Sequence, residues 1–173
     1  MNKLIILVGI SGSGKSTFAT SYIKENPNTL RINRDDIRKT LVGDLREYYQ
    51  KSNLQQFEKI INNIEHEFFN NAIYNKFNLI IDNTNLKVDY IERWLNMITF
   101  KKCNNRIIYN INFKLFDKEL QYCKEDAYIR DYGEDNILCS YDKRFEVQYI
   151  DKQYQQYQEI KKWLETNYKN QII

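Results

Sequence analysis

Residues Gly9-Ile10-Ser11-Gly12-Ser13-Gly14-Lys15-Ser16-Thr17 bring glycines, one lysine and hydroxyl side chains into a single short stretch. The G-x-x-x-x-G-K-S pattern lets the backbone curl around an anion with its N–H groups facing inward. Lys15 supplies a mobile positive charge for the β- and γ-phosphates, and the Ser16 hydroxyl is placed to join a Mg²⁺ shell. A helix starting at this point adds the positive end of its dipole. Gly9, Ser11, Gly12, Ser13, Gly14, Lys15, Ser16 and Thr17 are therefore the candidate ATP-binding residues, and Ser16 is the candidate metal ligand. A glycine-rich turn with an accidental Lys-Ser would carry the same letters. The apolar run Leu4-Ile5-Ile6-Leu7-Val8 before it and the helix-compatible residues after it favour the phosphate loop.

A second group, Asn33-Arg34-Asp35-Asp36-Ile37-Arg38, falls at a strand-to-helix corner, where side chains of a parallel sheet reach the ligand crevice. A phosphotransferase needs a base near the acceptor hydroxyl, a charge clamp and water exclusion. Asp35 is placed to be that base. Arg34 and Arg38 are candidate substrate contacts, and an arginine gripping an acceptor phosphate would favour a nucleotide or polynucleotide over a neutral alcohol. Capping of the next helix by Asp35 or Asp36, with an ion pair to Arg38, is the structural alternative. It accounts for one aspartate more readily than for two set between two arginines. Asp82 ends another apolar run and is a candidate for the Mg²⁺ carboxylate or for holding Arg38. A plain strand-end cap explains it equally well.

The elements that position these groups follow from periodicity. Strands are expected near 3–8, 29–32, 78–82 and 106–116, and helices near 16–25, 37–42, 52–76, 88–100, 118–129, 136–145 and 147–168. In the longest helix, Leu54, Phe57, Ile61, Ile64 and Phe68 recur at steps of three and four and predict its inner face. His66, between Glu65 and Glu67, lies off that stripe and reads as a solvated histidine. Tyr90, Ile91, Trp94, Leu95 and Ile98 predict the inner face of the next helix. Ile150, Tyr154, Tyr157, Ile160, Leu164 and Tyr168 mark a last helix facing the core. The stretch Arg130-Asp131-Tyr132-Gly133-Glu134-Asp135 has the turn chemistry of a mobile loop. Alternating strand and helix with right-handed crossovers predicts an α/β fold, a doubly wound parallel sheet flanked by helices.

Composition sets bounds. The chain has 173 residues, enough for one domain with a full core, and a formal net charge of +3 that permits a nucleic-acid partner without arguing for one. Cys103, Cys123 and Cys139 form no close pair and suit a reducing cytoplasm. The single histidine excludes a His-rich metal site, and no apolar stretch is long enough to span a bilayer.

A switch GTPase would need an Asn/Thr-Lys-x-Asp motif. Asn85-Leu86-Lys87-Val88-Asp89 fails because Leu86 intrudes, and no Asp-x-x-Gly ends a strand. A motor ATPase usually brings a larger domain. The three blocks Gly9–Thr17, Ile32–Arg38 and Ile81-Asp82-Asn83-Thr84-Asn85-Leu86, in that order, resemble the kinase domain of phage-type polynucleotide kinases, within the adenylate-kinase-like P-loop kinases. The resemblance covers roughly residues 1–145. It implies a P-loop kinase fold with a mobile lid at about 124–136 and Mg²⁺-ATP-dependent phosphorylation of a 5′-hydroxyl nucleic-acid end. It further implies that Lys15 and Ser16 hold the phosphates and metal, that Asp35 is the general base, and that Arg38 grips the acceptor's phosphate. An acid belongs in the third block. Asn83 occupies its position here, with Asp82 one residue earlier, and both are candidate substrate contacts. The family's lid carries two arginines four apart. Glu125-Asp126 stands where the first is expected, Arg130 is the nearest match to the second, Lys124 is a weaker stand-in, and Arg144 is a further cation. The final helix is too short for a second catalytic domain. A same-fold kinase of a small molecule, a nucleoside or a charged tRNA remains open, as does a non-catalytic ATP-binding module.

Overall fold

The computed structural model describes residues 2–43, 45–49, 51–105, 109–132 and 148–173. Strand β1 (Asn2–Val8) leads into the glycine-rich loop and helix α1 (Lys15–Glu25). Then come β2 (Thr29–Ile32), α2 (Arg34–Val42), α3 (Leu45–Tyr49), α4 (Leu54–Tyr74) and β3 (Asn78–Ile81). Helix α5 (Val88–Asn105), β4 (Tyr109–Leu115), α6 (Leu120–Tyr132) and α7 (Gln148–Asn167) complete the described elements, before a short 3-10 turn at Lys169–Gln171.

The described strands form one parallel sheet in the order β2-β3-β1-β4. Along β1 the side chains alternate between faces. Leu4, Ile6 and Val8 join the large core beneath α4, α5 and α7, whereas Ile5 and Leu7 pack with Ala19, Phe18 and Ile23 of α1 on the other side. Helices thus cover both faces, as expected. The chain leaves β1 toward β2 on one side and later passes to β4 on the other. Crossovers diverging in this way open a crevice at the carboxyl end of the strands, where the loop sits.

Several boundaries differ from the sequence expectation. Helix α2 begins at Arg34, three residues early, because the Asn33 side chain accepts the Asp36 N–H and caps it. Asp35 and Asp36 therefore lie in the first turn, where they complement the dipole, and neither is the cap. The buried face of α4 is Ile61, Glu65, Phe69, Ala72 and Ile73, rotated from the expected stripe; Ile64 and Phe68 are exposed. A buried glutamate breaks the apolar pattern that predicted that face. Ile91, Trp94 and Ile98 face inward on α5 as expected, but Tyr90 is exposed. Helix α6 runs through Arg130, Asp131 and Tyr132, which the sequence suggests as loop; the rest of that stretch, 133–135, lies outside the described residues. Helix α3 was not anticipated. The stripe of α7 does face the core, with Ile150, Tyr157, Ile160 and Leu164 buried. The expected helix at 136–145, Arg144, and the start of the fourth strand at 106–108 lie outside the described residues.

Candidate active site

The donor side is built from backbone. Gly12 and Gly14 have φ of +76° and +92°, conformations that side-chain-bearing residues rarely adopt. At Gly12 space is limiting as well: a Cβ there would lie 2.1 Å from the Cys123 carbonyl oxygen, so α6 packs directly on the loop. Gly14 turns the chain into α1 and brings the amides of its first turn to the crevice. The Gly9 N–H donates to the Thr84 carbonyl (3.2 Å), tying the loop to the segment after β3. The Ser11 N–H donates to Gln153 Oε1 of α7 (2.8 Å).

Lys15 is 8% exposed, and its Nζ donates to the Ile10 carbonyl (2.7 Å) and to Ser13 Oγ (3.4 Å). Burial lowers its pKa to about 8. Asp82 is the strongest opposing influence, Arg130 pushes in the same direction as burial, and Cys123 and Asp35 support the charge. The ammonium thus sits within the fields of Asp82, Asp35 and Arg130. Candidates from distant parts of the sequence thus act electrostatically on one group. Of the other lid cations considered, Lys124 is engaged with Asp151 (2.6 Å), bracing α6 against α7.

The corner between β2 and α2, where the sequence leads one to expect the acceptor, is built from ionic side chains. Arg38 donates through NH1 to Asp35 Oδ1 (2.7 Å) and through Nε and NH2 to Glu58 Oε1 (3.0 and 2.9 Å). Arg34 donates to Glu58 Oε2 (2.5 Å), to Asn62 (2.6 Å) and to Glu65 Oε2 (2.8 Å), so α4 carboxylates hold it. Glu65 is fully buried and also accepts from Asn83 Nδ2 (3.0 Å) and pairs with Arg93 of α5 (3.0 Å). Asn83 in turn accepts the Arg34 N–H (3.0 Å), anchoring the start of α2 to the end of β3. Glu58 is closed off by the Tyr48 hydroxyl (2.5 Å). Burial pushes the Glu58 carboxyl up, but the hydrogen bonds from Tyr48, Arg38 and Arg34 outweigh it and hold it below the usual carboxylate range.

Asp82 is 2% exposed and holds Arg31, whose Nε and NH2 reach Oδ2 at 2.7 and 2.6 Å; the expected pairing with Arg38 does not form. Arg31 also pairs with Asp36 (2.6 Å), and Asn33 donates to the same Asp82 oxygen (3.1 Å). Asp82 Oδ1 is buried with no hydrogen-bond partner. Such an atom is costly to bury unless a ligand or water meets it. An unpartnered carboxylate oxygen of this kind fits a hydrated divalent cation, which takes oxygen ligands. Asn85, in the segment that fails the GTPase base-reading pattern, is buried in a left-handed turn and donates to the Leu7 carbonyl (2.7 Å), a structural position.

A family model described as an AAA domain matches residues 4–111. The chain belongs to this family. With its phosphate loop, that membership makes it a nucleotide-binding protein of the P-loop class. Over 135 residues, 74% of the chain, it is 33% identical to a protein of Autographa californica nuclear polyhedrosis virus named as a bifunctional polynucleotide kinase/RNA ligase. A chain in a solved Pnkp1/Rnl/Hen1 RNA repair complex superposes with a TM-score of 0.69 at 29% identity, covering 93% of this chain. A deoxyadenosine kinase from M. mycoides shares the fold at 16% identity (TM-score 0.57, covering 98% of this chain and 88% of that one). This chain spans 18% of the viral relative and 45% of the repair-complex chain. The expected P-loop kinase fold and the likeness to polynucleotide kinases are both met. Among the described residues no helix is long and apolar enough to cross a membrane.

Sequence reasoning missed Arg31, Glu58, Glu65 and Tyr48. Arg31 had a signal: a charged residue within the short strand Thr29-Leu30-Arg31-Ile32 needs a partner. Glu58 and Glu65 are seven apart on α4, two helical turns, and so share a face; that face was misassigned because it carries charge.

Proposed function

We propose that this chain is a single P-loop kinase domain that transfers the γ-phosphoryl group of Mg²⁺-ATP to the 5′-hydroxyl end of a nucleic acid. The observation that carries the reading is the Asp35–Arg38 pair, held at 2.7 Å, with the Asp35 charge acting on the buried Lys15. A carboxylate joined to a guanidinium at the mouth of a phosphate cradle suits a substrate that presents a hydroxyl and a phosphate together. Arg38 engages Oδ1 of Asp35, which leaves Oδ2 to take the proton of the attacking hydroxyl. As the acceptor oxygen bonds to the γ-phosphorus, the bond to the β–γ bridging oxygen breaks and ADP leaves. Lys15 and the amides of Gly12 and Gly14–Thr17 hold the phosphates through this exchange of partners, while the Ser13 N–H is taken by the Ile10 carbonyl. Arg38 has donors beyond those used on Asp35 and Glu58, and these grip the acceptor phosphate. Asn83 and Asp82 sit behind the acceptor corner and fix α2 and Arg31, so that Arg34 acts through positioning. Arg130 supplies the lid charge, supported by its field at Lys15. Ser16 and the orphaned Asp82 oxygen would hold the cation, which would neutralise charge on the transferring phosphates. The names of the relatives support a polynucleotide acceptor. A reducing cytoplasm suits the free thiol of Cys123.

The test is a panel of acceptors incubated with γ-labelled ATP: 5′-hydroxyl DNA and RNA oligonucleotides, nucleosides and mononucleotides. Label on the oligonucleotide 5′ ends is expected. Label confined to nucleosides or other small molecules would overturn the polynucleotide reading. ATP binding with transfer to none of them would leave a binding module.

A further inference from the structure

We propose that Tyr49 is a stacking platform for the first nucleobase of a single-stranded 5′-hydroxyl acceptor, an inference that rests on the kinase reading above. Tyr49 closes α3 and is 59% exposed. Its ring meets Tyr48 edge to face, with centroids 5.3 Å apart and an interplanar angle of 85°. Tyr48 itself is fully buried. Its hydroxyl is fixed on Glu58 (2.5 Å), its ring lies 5.6 Å from the Arg38 guanidinium, and Phe57 packs edge-on against it at 6.0 Å.

Direct contacts therefore run from Asp35 to Arg38, to Tyr48 and to Tyr49. The outermost ring is pinned by a buried one, and an edge-to-face contact leaves a face of Tyr49 open to a ligand. The Tyr49 hydroxyl also feels the corner. Burial raises its pKa, and the carboxylates of Asp35 and Glu58 add to this against the opposing charge of Arg38. Tyr149, at the start of α7, lies within the same field. An exposed, immobilised aromatic near an arginine that takes phosphate is the arrangement by which single-stranded nucleic acid is held without reading its sequence. A base placed on Tyr49 would keep its own sugar hydroxyl near Asp35 while the next phosphate meets Arg38. A neutral small alcohol has no use for such a surface.

The probe is a 5′-hydroxyl oligonucleotide whose first residue is 2-aminopurine, used with the full chain. Its fluorescence should be quenched on binding even without ATP. Tyr49→Ala should abolish the quenching and raise the acceptor KM about 5- to 150-fold, with kcat changing far less. Tyr49→Phe should keep both properties, because the ring and not the hydroxyl does the stacking. An oligonucleotide with an abasic first residue should show the same KM with either protein. Quenching and KM unchanged in Tyr49→Ala would overturn the proposal. So would Tyr49→Phe behaving like Tyr49→Ala, which would assign the role to the hydroxyl. If the unaltered protein labels no oligonucleotide, the kinase reading falls, and the quenching still reports whether Tyr49 stacks a base.

Discussion

The two halves of the site are made in opposite ways. The donor cradle is contiguous, about nine residues whose backbone amides and one buried lysine do the work, shaped by the left-handed Gly12 and Gly14. The acceptor corner is assembled from α2, α3, α4, α5 and the segment after β3, and it is held by side-chain ion pairs centred on Glu58 and Glu65. The cradle is tied to its neighbours by uncharged hydrogen bonds, from Gly9 to Thr84 and from Ser11 to Gln153. A network of buried charges needs every partner present, because removing one leaves another stranded. The buried carboxylate Glu65 is therefore where substitution should harm the fold, and Lys15 is where it should harm chemistry alone.

The strongest test of that contrast is Glu65→Ala. It leaves Arg34, Arg93 and Asn83 without their common buried acceptor and should destabilise the protein by about 3–5 kcal/mol. A thermal or urea unfolding series measures this. A loss well under 1 kcal/mol would mean that water replaces the carboxylate and that no network exists. Lys15→Ala is the donor-side counterpart. Transfer should fall about 10²–10³-fold, as expected when a preorganised charge on the reacting phosphates is removed. The melting temperature should hold or rise, since a buried ammonium is relieved. A clear drop in stability would erase the distinction between the halves.

The smallest effect is a pH dependence. The Lys15 pKa falls from 10.5 in the unfolded chain to about 8 in the fold. Between these values the unfolded chain binds the extra proton, so this group makes the ligand-free protein more stable as pH rises through that window. ATP affinity should move the other way, because phosphates require the charged ammonium. It should weaken above about pH 8, by at most about tenfold per pH unit, with proton uptake on binding. Calorimetry in buffers of different ionisation enthalpy reads both. An affinity flat from pH 7 to 9.5 would show that Lys15 stays charged throughout.

The same contrast explains what the sequence made legible. The cradle and the sheet were readable because local rules govern them: glycines where the chain turns left-handed, apolar runs for buried parallel strands, and a lysine-serine pair at a helix start. Asp35 and Arg38 were readable because they lie three apart on one turn. Glu58 and Glu65 were not. Apolar periodicity assigns glutamates to the solvent side, so the stripe of α4 was placed with Ile64 and Phe68 inward, whereas arginines from α2 and α5 draw Glu65 inside. Long-range ion pairs leave no signature in spacing. The Asp82 partnership went to Arg31 for the same reason: parallel register sets β2 beside β3, and Arg31 pairs across from Ile80, within reach of the strand end.

The central claim is that Asp35 does chemistry at the acceptor while the cradle holds the donor independently. Asp35→Asn tests it most directly, with ATP affinity and 5′-end labelling measured on the same preparation. The account predicts an unchanged ATP dissociation constant together with a fall in kcat of about 10²–10⁴-fold, the range for loss of a general base. Labelling at the unaltered rate would contradict it.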